Sequence, residues 1–367
     1  MNILLVAEDF VLNGVTRHIV DLANGLAEQG HTVYVAATPT TQKEKLSTAV
    51  TFIPLFLCIP GSSQKRSGGV IPSIGILIRT IRENKIDIIH THKRYADLLG
   101  RIAARMTGVK HISTCHNEFT NYRFFSPFGD ITIAPSPEIE HMLLHYFRLH
   151  RERVKVIFHG IKPLHRLTKE TIQQQRKLLG IESNVKVILS VGHMNRQKDR
   201  PTLIEALHLL QRNGQLEKTL CCIVGEGREY HKVQIMIRSY KLESYIKLLP
   251  ATSDVEALNN IAEFCVISSL YEAGPYIILE AASLGKPSVG TAVGLIPSFM
   301  GNNEAGICVH PQNPRQLADA IYLLLSDPKK TEALGKKAYE RFVHEYTYDR
   351  FISNTIAVYE EALKKKR

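Results

Sequence analysis

The chain has 367 residues, more than one ordinary domain needs and enough for two domains of similar size. Its composition, 44% hydrophobic and 22% charged, is that of a globular protein, and no apolar run approaches the roughly 18 residues of a membrane span. The six cysteines show neither a zinc-binding spacing nor a disulfide framework, which indicates reduced thiols in the cytoplasm.

The net charge is +11, from 46 basic and 35 acidic residues. Basic residues concentrate at Lys65 and Arg66, between positions 79 and 110, and in the last four residues, 364–367. Such surfaces favour anionic lipid headgroups, phosphorylated glycolipids or nucleic acid. No nucleic-acid-binding motif accompanies the charge, so nucleic acid is disfavoured as a partner. The alternative is a solubilising surface with a frayed tail.

Strand and helix patterns alternate along the chain, which predicts parallel sheets flanked by helices. In the first half, a buried strand at 2–7 precedes an amphipathic helix at 15–29, which has Ile19, Leu22 and Leu26 on one face. Further strands are predicted at 31–37, 52–56, 86–90, 110–115, 130–134 and 154–158. Further helices are predicted at 71–84, 95–107 and 137–147.

Residues 159–184 are polar, contain a short helical pattern, and predict the connection to a second series. The strands of that series are predicted at 185–191, 219–224, 245–248, 264–267, 287–290 and 306–309. Three helices are predicted at 314–325, 329–345 and 348–364. We therefore expect one Rossmann-like domain over 1–165, a second over 166–346, and a helix in 347–367 that crosses back to the first.

Residues 269–291 are the most informative segment of the chain. Glu272 lies in a turn that contains Gly274, and Glu280 lies eight positions later, about one turn into a helix that starts near Tyr276. A loop-to-helix junction presents free N–H groups and the positive end of the helix dipole, which suits a phosphate. A carboxylate one turn further can accept both hydroxyls of a ribose. The segment predicts a nucleotide-sugar site; the alternative is an exposed helix with two solvated glutamates.

Two further places carry candidate ligand-binding residues. Gly14 follows the first strand at the start of a helix, where a backbone can approach a ligand closely, although turn geometry alone would explain it. His116 follows a buried strand at the edge where doubly wound sheets bind ligands, and His90 and His92 end the preceding strand. No carboxylate or cysteine pattern completes a metal site with these histidines, so we expect no bound metal and no other cofactor.

The segment from Ser269 to Pro287 resembles the Glu-x7-Glu motif of the retaining family-4 glycosyltransferases, with Gly-Pro inside the motif and Glu-Ala-x3-Gly-x-Pro at its end. Similar matches extend from Gly14 to the C-terminal helix, over nearly the whole chain. The resemblance implies the GT-B fold, in which two Rossmann-like domains face each other across an interdomain cleft. It further implies that the first domain binds the acceptor and the second binds the nucleotide sugar.

The resemblance also implies which residues bind the donor diphosphate and the sugar. Lys198 matches the lysine of the family's Gly-Arg-x4-Lys segment, which neutralises the departing diphosphate. This chain has His193 where the family has arginine, and Arg196 lies three residues further on. By the same resemblance, the imidazole of His116 contacts the transferred sugar, and Gly14 approaches the donor.

Within the main motif, the resemblance assigns Glu272 to the sugar hydroxyls and Glu280 to the ribose. Gly274 and the N–H groups of Tyr276 and Ile277 would contact the sugar or a phosphate. The resemblance therefore places the catalytic roles on Glu272, together with the lysine and the histidine named above.

The implied reaction is glycosyl transfer with retention of anomeric configuration, by departure and attack on the same face of the sugar. We expect a UDP-sugar donor and, as acceptor, a surface glycan or glycolipid precursor such as lipopolysaccharide core or capsule. The apolar segment 52–59, the aromatic loop 119–128 and the basic first half favour a cytoplasmic protein in peripheral contact with an anionic membrane at its inner face. The alternatives are a nucleotide-sugar epimerase of the same fold and a non-catalytic nucleotide-sugar-binding relative, which His193 suggests.

Overall fold

The computed structural model describes residues 1–8, 10–11, 13–56, 69–119, 126–251 and 254–365. Its contacts divide the chain into two compact units, one of Met1–Gly160 with the segment from Tyr348, and one of Ile161–Thr347. The apolar segment 52–59 and the loop 119–128 lie partly outside the described residues, and Lys65 and Arg66 lie wholly outside them. No described helix is long and apolar enough to cross a membrane.

The first unit contains a seven-stranded sheet in which all neighbours are parallel. Its strands are β1 (Asn2–Ala7), β2 (Thr32–Ala37), β3 (Val50–Pro54), β4 (Ile88–His92), β5 (Lys110–Thr114), β6 (Ile131–Ala134) and β7 (Val154–Val156). Its first helices are α1 (Gly14–Glu28), α2 (Val70–Glu83), α3 (Arg94–Thr107) and α4 (Pro137–His141). The spatial order β3-β2-β1-β4-β5-β6-β7 reverses direction between β1 and β4.

The helix α1 shows how the sequence sets the local structure. Asn13 caps it, because its side chain accepts a hydrogen bond from the N–H of Thr16 at 2.8 Å, and Gly14 is its exposed first residue. The predicted apolar face is confirmed, since Ile19 and Leu22 are fully buried in a core that also contains residues of β1 and β2.

Several predicted elements differ from the structure in their bounds; the strand predicted at 52–56, for example, runs over Val50–Pro54. The strand predicted at 86–90 runs over Ile88–His92, because the N–H of Ile86 donates to the carbonyl of Ile81 and closes the preceding helix. The helix predicted at 137–147 ends as an α-helix at His141. Its continuation is a wider turn, in which the N–H of Phe147 donates to the carbonyl of Met142 at 3.1 Å.

The second unit contains a six-stranded sheet, again with parallel neighbours. Its strands are β8 (Lys186–Val191), β9 (Thr219–Val224), β10 (Ile246–Leu249), β11 (Phe264–Ile267), β12 (Ser288–Thr291) and β13 (Ile307–Val309). Its helices are α5 (Lys169–Leu178), α6 (Arg200–Arg212), α7 (Tyr230–Ser239), α8 (Val255–Ile261), α9 (Tyr276–Ser283), α10 (Leu295–Met300), α11 (Pro314–Ser326) and α12 (Pro328–Glu345). The order β10-β9-β8-β11-β12-β13 reverses direction between β8 and β11.

The last helix, α13 (Tyr348–Lys364), packs on α1 of the first unit. The Tyr348 hydroxyl donates to the carbonyl of Asp21 at 3.1 Å, and Ile352 packs so closely on Gly25 that a Cβ there would lie 2.4 Å from its side chain. Further along the helix, the Tyr359 hydroxyl lies 2.6 Å from Nδ1 of the buried His90. These contacts complete the core of the first unit with the end of the chain.

Candidate active site

The reversal of strand order in the second unit brings two of the predicted segments together. β8 and β11 are hydrogen-bonded neighbours, and the loops that follow them contain residues 192–199 and 268–275. Doubly wound sheets bind their ligands outside the carboxyl ends of the strands at such a reversal. The basic segment after β8 and the first glutamate of the Glu-x7-Glu motif therefore lie side by side.

Lys198 and Glu272 form an ion pair at this position. Nζ of Lys198 bonds to Oε1 of Glu272, and the two side chains are 19% and 7% exposed. The hydroxyl of Ser269 donates to the same oxygen at 2.6 Å. Among the described residues both bonds are made to Oε1, so Oε2 remains available to accept a hydrogen bond from a ligand. Because the pair is partly shielded from water, its charges act on a ligand more strongly than exposed charges would.

Three hydrogen bonds between the two loops hold this pair in place. The Ser268 hydroxyl donates to the carbonyl of Lys198 at 2.9 Å, and the N–H of Leu270 donates to the carbonyl of Gln197 at 2.8 Å. The side-chain amide of Gln197 donates to the carbonyl of Tyr271 at 3.0 Å. The backbones on both sides of the ion pair are thus fixed to each other, which pre-organises the two charged groups.

The helix α9 follows directly after the second loop. Tyr276 is its first residue and Pro275 precedes it, and the N–H of Ile278 donates to the carbonyl of Pro275 at 3.2 Å. The first turn therefore presents the positive end of the helix dipole. Gly274 and Tyr276 are half-buried and Ile277 is buried. Glu280 lies in the second turn and is only 3% exposed. The alternative of an exposed helix with two solvated glutamates is therefore wrong, since Glu272 and Glu280 are both buried.

The other two predicted diphosphate ligands are more exposed than the ion pair. His193 and Arg196 are both exposed, and Arg196 forms no ion pair and no side-chain hydrogen bond with the described residues. The structure therefore brings Lys198 and Glu272 together and leaves the Arg196 guanidinium in solvent.

Buried histidines occupy the equivalent reversal of strand order in the first unit. His92 ends β4, His116 follows β5, His18 comes from α1 and His159 follows β7. Nδ1 of His92 lies 3.0 Å from Nε2 of His116, and Nδ1 of His18 lies 2.9 Å from Nδ1 of His159. His18 gave no signal in the sequence because it lies inside a helix. His159 was overlooked although it directly follows the strand predicted at 154–158.

Burial keeps these imidazoles neutral at pH 7. It lowers the pKa of His18, His92 and His116 well below the ordinary value, and the neighbouring imidazoles lower it further. Burial also lowers the pKa of His90 to about 3 and that of His159 to about 4. The cluster therefore offers hydrogen-bond donors and lone pairs and no positive charge.

His116 also lines a cavity of about 300 Å³ in the first unit. Lys93, Arg94 and Phe119 line the same cavity, and the Arg94 guanidinium lies 4.3 Å from the centre of the Phe119 ring. A cation stacked on an aromatic ring beside a buried imidazole can bind a polar ligand that also has an apolar face.

Comparison with known families decides what this chain is. The model described as "Glycosyltransferase Family 4" matches residues 12–163, and the model described as "Glycosyl transferases group 1" matches residues 171–341. The chain is a group 1, family-4 glycosyltransferase. The resemblance inferred from the sequence motif is thereby confirmed.

Relatives of this glycosyltransferase match it over almost its full length. The uncharacterized glycosyltransferase MJ1607 of Methanocaldococcus jannaschii is 23% identical over 96% of both chains. The alpha-monoglucosyldiacylglycerol synthase of Acholeplasma laidlawii is 23% identical over 97% of both. The structure of Anabaena Alr3699/HepE in complex with UDP has a TM-score of 0.85 at 19% identity, over 98% of this chain and 100% of that one. The predicted two-domain α/β GT-B fold is confirmed.

Arg200 was missed in the sequence; it supports the end of β8 and the start of the loop that follows it. It is 2% exposed, its guanidinium donates to the Ser190 hydroxyl, and it also donates to the carbonyl of Gly192 at 3.3 Å. Burial lowers its pKa to about 10, so it stays charged at pH 7. Its position at a helix start gave no signal, because a basic residue there is usually exposed.

Gly294 was missed as well. Its backbone has φ +53°, and a Cβ on it would lie 1.5 Å from the carbonyl oxygen of Glu272. Only glycine fits at such an approach. The turn before α10 therefore packs directly on the backbone of Glu272. No local sequence pattern indicates this contact, because it joins residues that are distant along the chain.

Proposed function

We propose that this glycosyltransferase moves a glycosyl unit from a UDP-sugar to a glycan or glycolipid acceptor, with retention of anomeric configuration. The observation that carries the proposal is the shielded Lys198–Glu272 ion pair at the reversal of strand order in the second unit. The bound UDP named for Anabaena HepE supports UDP as the nucleotide.

In the proposed complex, the donor lies against the ion pair and the start of α9. Lys198 neutralises the diphosphate, and the exposed Arg196 or His193 approaches it from solvent. Oε2 of Glu272 accepts a hydrogen bond from a sugar hydroxyl. Glu280 accepts the ribose hydroxyls.

The same proposal assigns the neutral donors of the site. The N–H groups of Tyr276 and Ile277 and the close backbone at Gly274 contact the phosphate or sugar. Gly14 begins α1 of the first unit and approaches the donor there, and His116 contacts the transferred sugar.

The proposed step needs no covalent enzyme intermediate. The bond between the anomeric carbon and the diphosphate oxygen breaks while the acceptor hydroxyl oxygen bonds to the same face of that carbon. The acceptor proton passes to the departing diphosphate oxygen. Catalysis is then positioning and charge stabilisation, which Lys198 and the start of α9 supply.

The outer face of α2 supports a membrane-bound acceptor. Ile71 is 83% exposed, Ile76 is also exposed, and Arg79 and Arg82 are exposed on the same helix. Exposed apolar side chains next to cations favour the interface of an anionic bilayer. The diacylglycerol in the name of the Acholeplasma relative supports a lipid acceptor. We propose peripheral membrane contact through this face.

The donor assignment is tested by thermal shift with UDP-, GDP-, ADP- and CMP-sugars, on the wild type and on Glu280→Ala. We expect UDP-sugars alone to raise the Tm and expect the shift to shrink strongly in the variant, because the ribose contact is lost. A shift with another nucleotide would overturn UDP, and an equal shift in the variant would overturn the role of Glu280. Interconversion of the donor sugar in the absence of acceptor would identify an epimerase. Binding of the nucleotide sugar without any turnover would identify a non-catalytic relative.

The membrane proposal is tested by sedimentation with phosphatidylglycerol vesicles at low salt. We expect the wild type to sediment and the double variant Ile71→Glu, Ile76→Glu to remain in the supernatant. Ile235→Glu is the matched control, because Ile235 is an equally apolar residue, 65% exposed, on a helix of the second unit. A wild type that fails to sediment contradicts the proposed membrane contact without affecting the donor site.

A further inference from the structure

Three histidines of the first unit bring ligand atoms close together. One ring nitrogen from each of His18, His92 and His116 lies within 4.8 Å of the other two, and all three side chains are buried. They come from three separate elements, α1, β4 and the segment after β5. The strand register brings these residues together. His92 pairs with Ala7 of β1 on one side and with Thr114 of β5, two residues before His116, on the other.

The tertiary structure changes which histidines belong to this group. His90 is excluded, because both of its nitrogens are occupied: Nδ1 lies 2.6 Å from the Tyr359 hydroxyl and Nε2 lies 2.7 Å from the Thr114 hydroxyl. His18 takes its place, although it is far away in sequence. The ring centres of His18 and His116 are 4.8 Å apart, and those of His18 and His92 are 5.4 Å apart.

Two features of the group point to a metal ligand set. Nε2 of His92 is buried and has no hydrogen-bond partner among the described residues, an unusual state for a polar atom that a ligand would relieve. Nδ1 of His18 lies 2.9 Å from Nδ1 of His159, so the second ring nitrogen of His18 has a hydrogen-bond partner. Metal-bound histidines are oriented by such a bond, usually to a carboxylate, a carbonyl or water.

We propose that His18, His92 and His116 form a binding site for a divalent transition metal ion, and specifically for Zn²⁺. Imidazole nitrogen suits Zn²⁺, and three histidines with an open fourth position is an established Zn²⁺ geometry. Tetrahedral coordination places the nitrogens roughly 3.3 Å apart. The present spacing therefore has to close by about 1.5 Å at most, which rotations about the side-chain bonds can supply.

The site has an access route and a functional consequence. His116 lines the cavity of about 300 Å³ described above, through which an ion can reach the group. An ion bound to His116 withdraws its imidazole from the transferred sugar, so the site is inhibitory. This consequence depends on the role of His116 in the proposed function, whereas metal binding itself does not. The proposal replaces the sequence-based expectation of no bound metal at these histidines, while the proposed transfer step itself uses no metal.

The experiment titrates the chelator-treated full-length chain with Zn²⁺ by calorimetry and with Co²⁺ by visible absorption, at one fixed pH. We expect one equivalent of each ion to bind and the Co²⁺ complex to show the intense spectrum of four-coordinate geometry. His18→Gln and His92→Gln should each weaken binding by more than about 100-fold, the upper end for changes in outer-shell partners. Cooperative melting of each variant checks that it folds.

His145→Gln is the matched control. His141 and His145 are exposed, with ring centres 4.3 Å apart, and form the pair on which adventitious surface binding is expected. Zinc-edge X-ray absorption of the wild type should show three histidine nitrogens, which tests the proposal without any variant. Binding that is lost in His145→Gln but retained in His18→Gln and His92→Gln, or a first shell without histidine, overturns the proposal.

Discussion

The two units place different chemistry at the same point of the same architecture. Where β8 meets β11, the second unit holds the opposite charges of Lys198 and Glu272. Where β1 meets β4, the first unit holds neutral imidazoles around His92 and His116. The difference follows from burial, because Lys198 keeps 19% of its side chain exposed whereas each of these histidines is at most 5% exposed. A charged donor is therefore expected to bind against the second unit.

The largest expected effect comes from removing the charges of the second unit. Glu272→Ala and Lys198→Ala should each lower kcat/KM for transfer by about 10²- to 10³-fold, because each removes charge stabilisation in a shielded site. The measurement is steady-state transfer once a donor and an acceptor are known. Glu332→Ala and Lys336→Ala, exposed residues of the same unit, are the controls. Near-normal turnover in both site variants would contradict a catalytic role for Lys198 and Glu272.

The next effect tests whether packing holds Glu272 in place. Gly294→Ala should lower the free energy of unfolding by about 2–4 kcal/mol and reduce transfer, because a Cβ would collide with the Glu272 carbonyl. Gly214→Ala is a matched control: this glycine also has positive φ, at +69°, but nothing lies within 4 Å of the added atom. The control should cost about 1 kcal/mol and leave transfer unchanged. The free energy of unfolding is measured with urea. Equal decreases in both variants would show that the close contact between Gly294 and the Glu272 backbone does not contribute to stability.

A third effect distinguishes the units by acid sensitivity. Burial lowers the pKa of His111 in β5 to about 4; Asp130 opposes this shift, and Arg101 and Arg153 reinforce it. As the pH falls from about 6.5 to 4, His111 becomes protonated in the unfolded chain but stays neutral in the folded chain. Folded stability should therefore fall with decreasing pH by about 1.4 kcal/mol per unit, or about 3 kcal/mol in all.

The variant His111→Gln lacks this contribution and should have a flatter dependence of stability on pH. Hydrogen exchange of β4 and β5 peptides at pH 7 and pH 4.5 measures the difference, and β8 and β11 peptides of the second unit serve as internal controls. The same pH dependence in wild type and variant would show that the buried imidazole does not control the acid response of the first unit.

The smallest effect concerns the hydroxyl that orients Glu272. Ser269→Ala removes the 2.6 Å hydrogen bond to Oε1 and should raise the barrier to transfer by about 1 kcal/mol, roughly a fivefold loss. The ion pair with Lys198 remains, so the loss should be far smaller than in Glu272→Ala. A loss as large as that of Glu272→Ala would mean that the serine itself contacts the substrate.

Much of the fold was predictable because its signals are local. The strand at 2–7, the apolar face of α1 and the helix that begins at Tyr276 all follow from short apolar periods, caps and glycine or proline positions. The same local reading placed β4 two residues early, because it could not foresee that Ile86 closes the preceding helix. The family was also readable, since its motif is contiguous.

The sequence by itself determined the two αβ series, the glycosyltransferase family and the candidate residues of the Glu-x7-Glu segment. The tertiary structure alone decided which of these residues meet. It paired Lys198 with Glu272, left Arg196 in solvent, and brought His18 to His92 and His116. The physical reason is that secondary structure depends on near neighbours, whereas a site depends on strand order and register, which join residues that are distant along the chain.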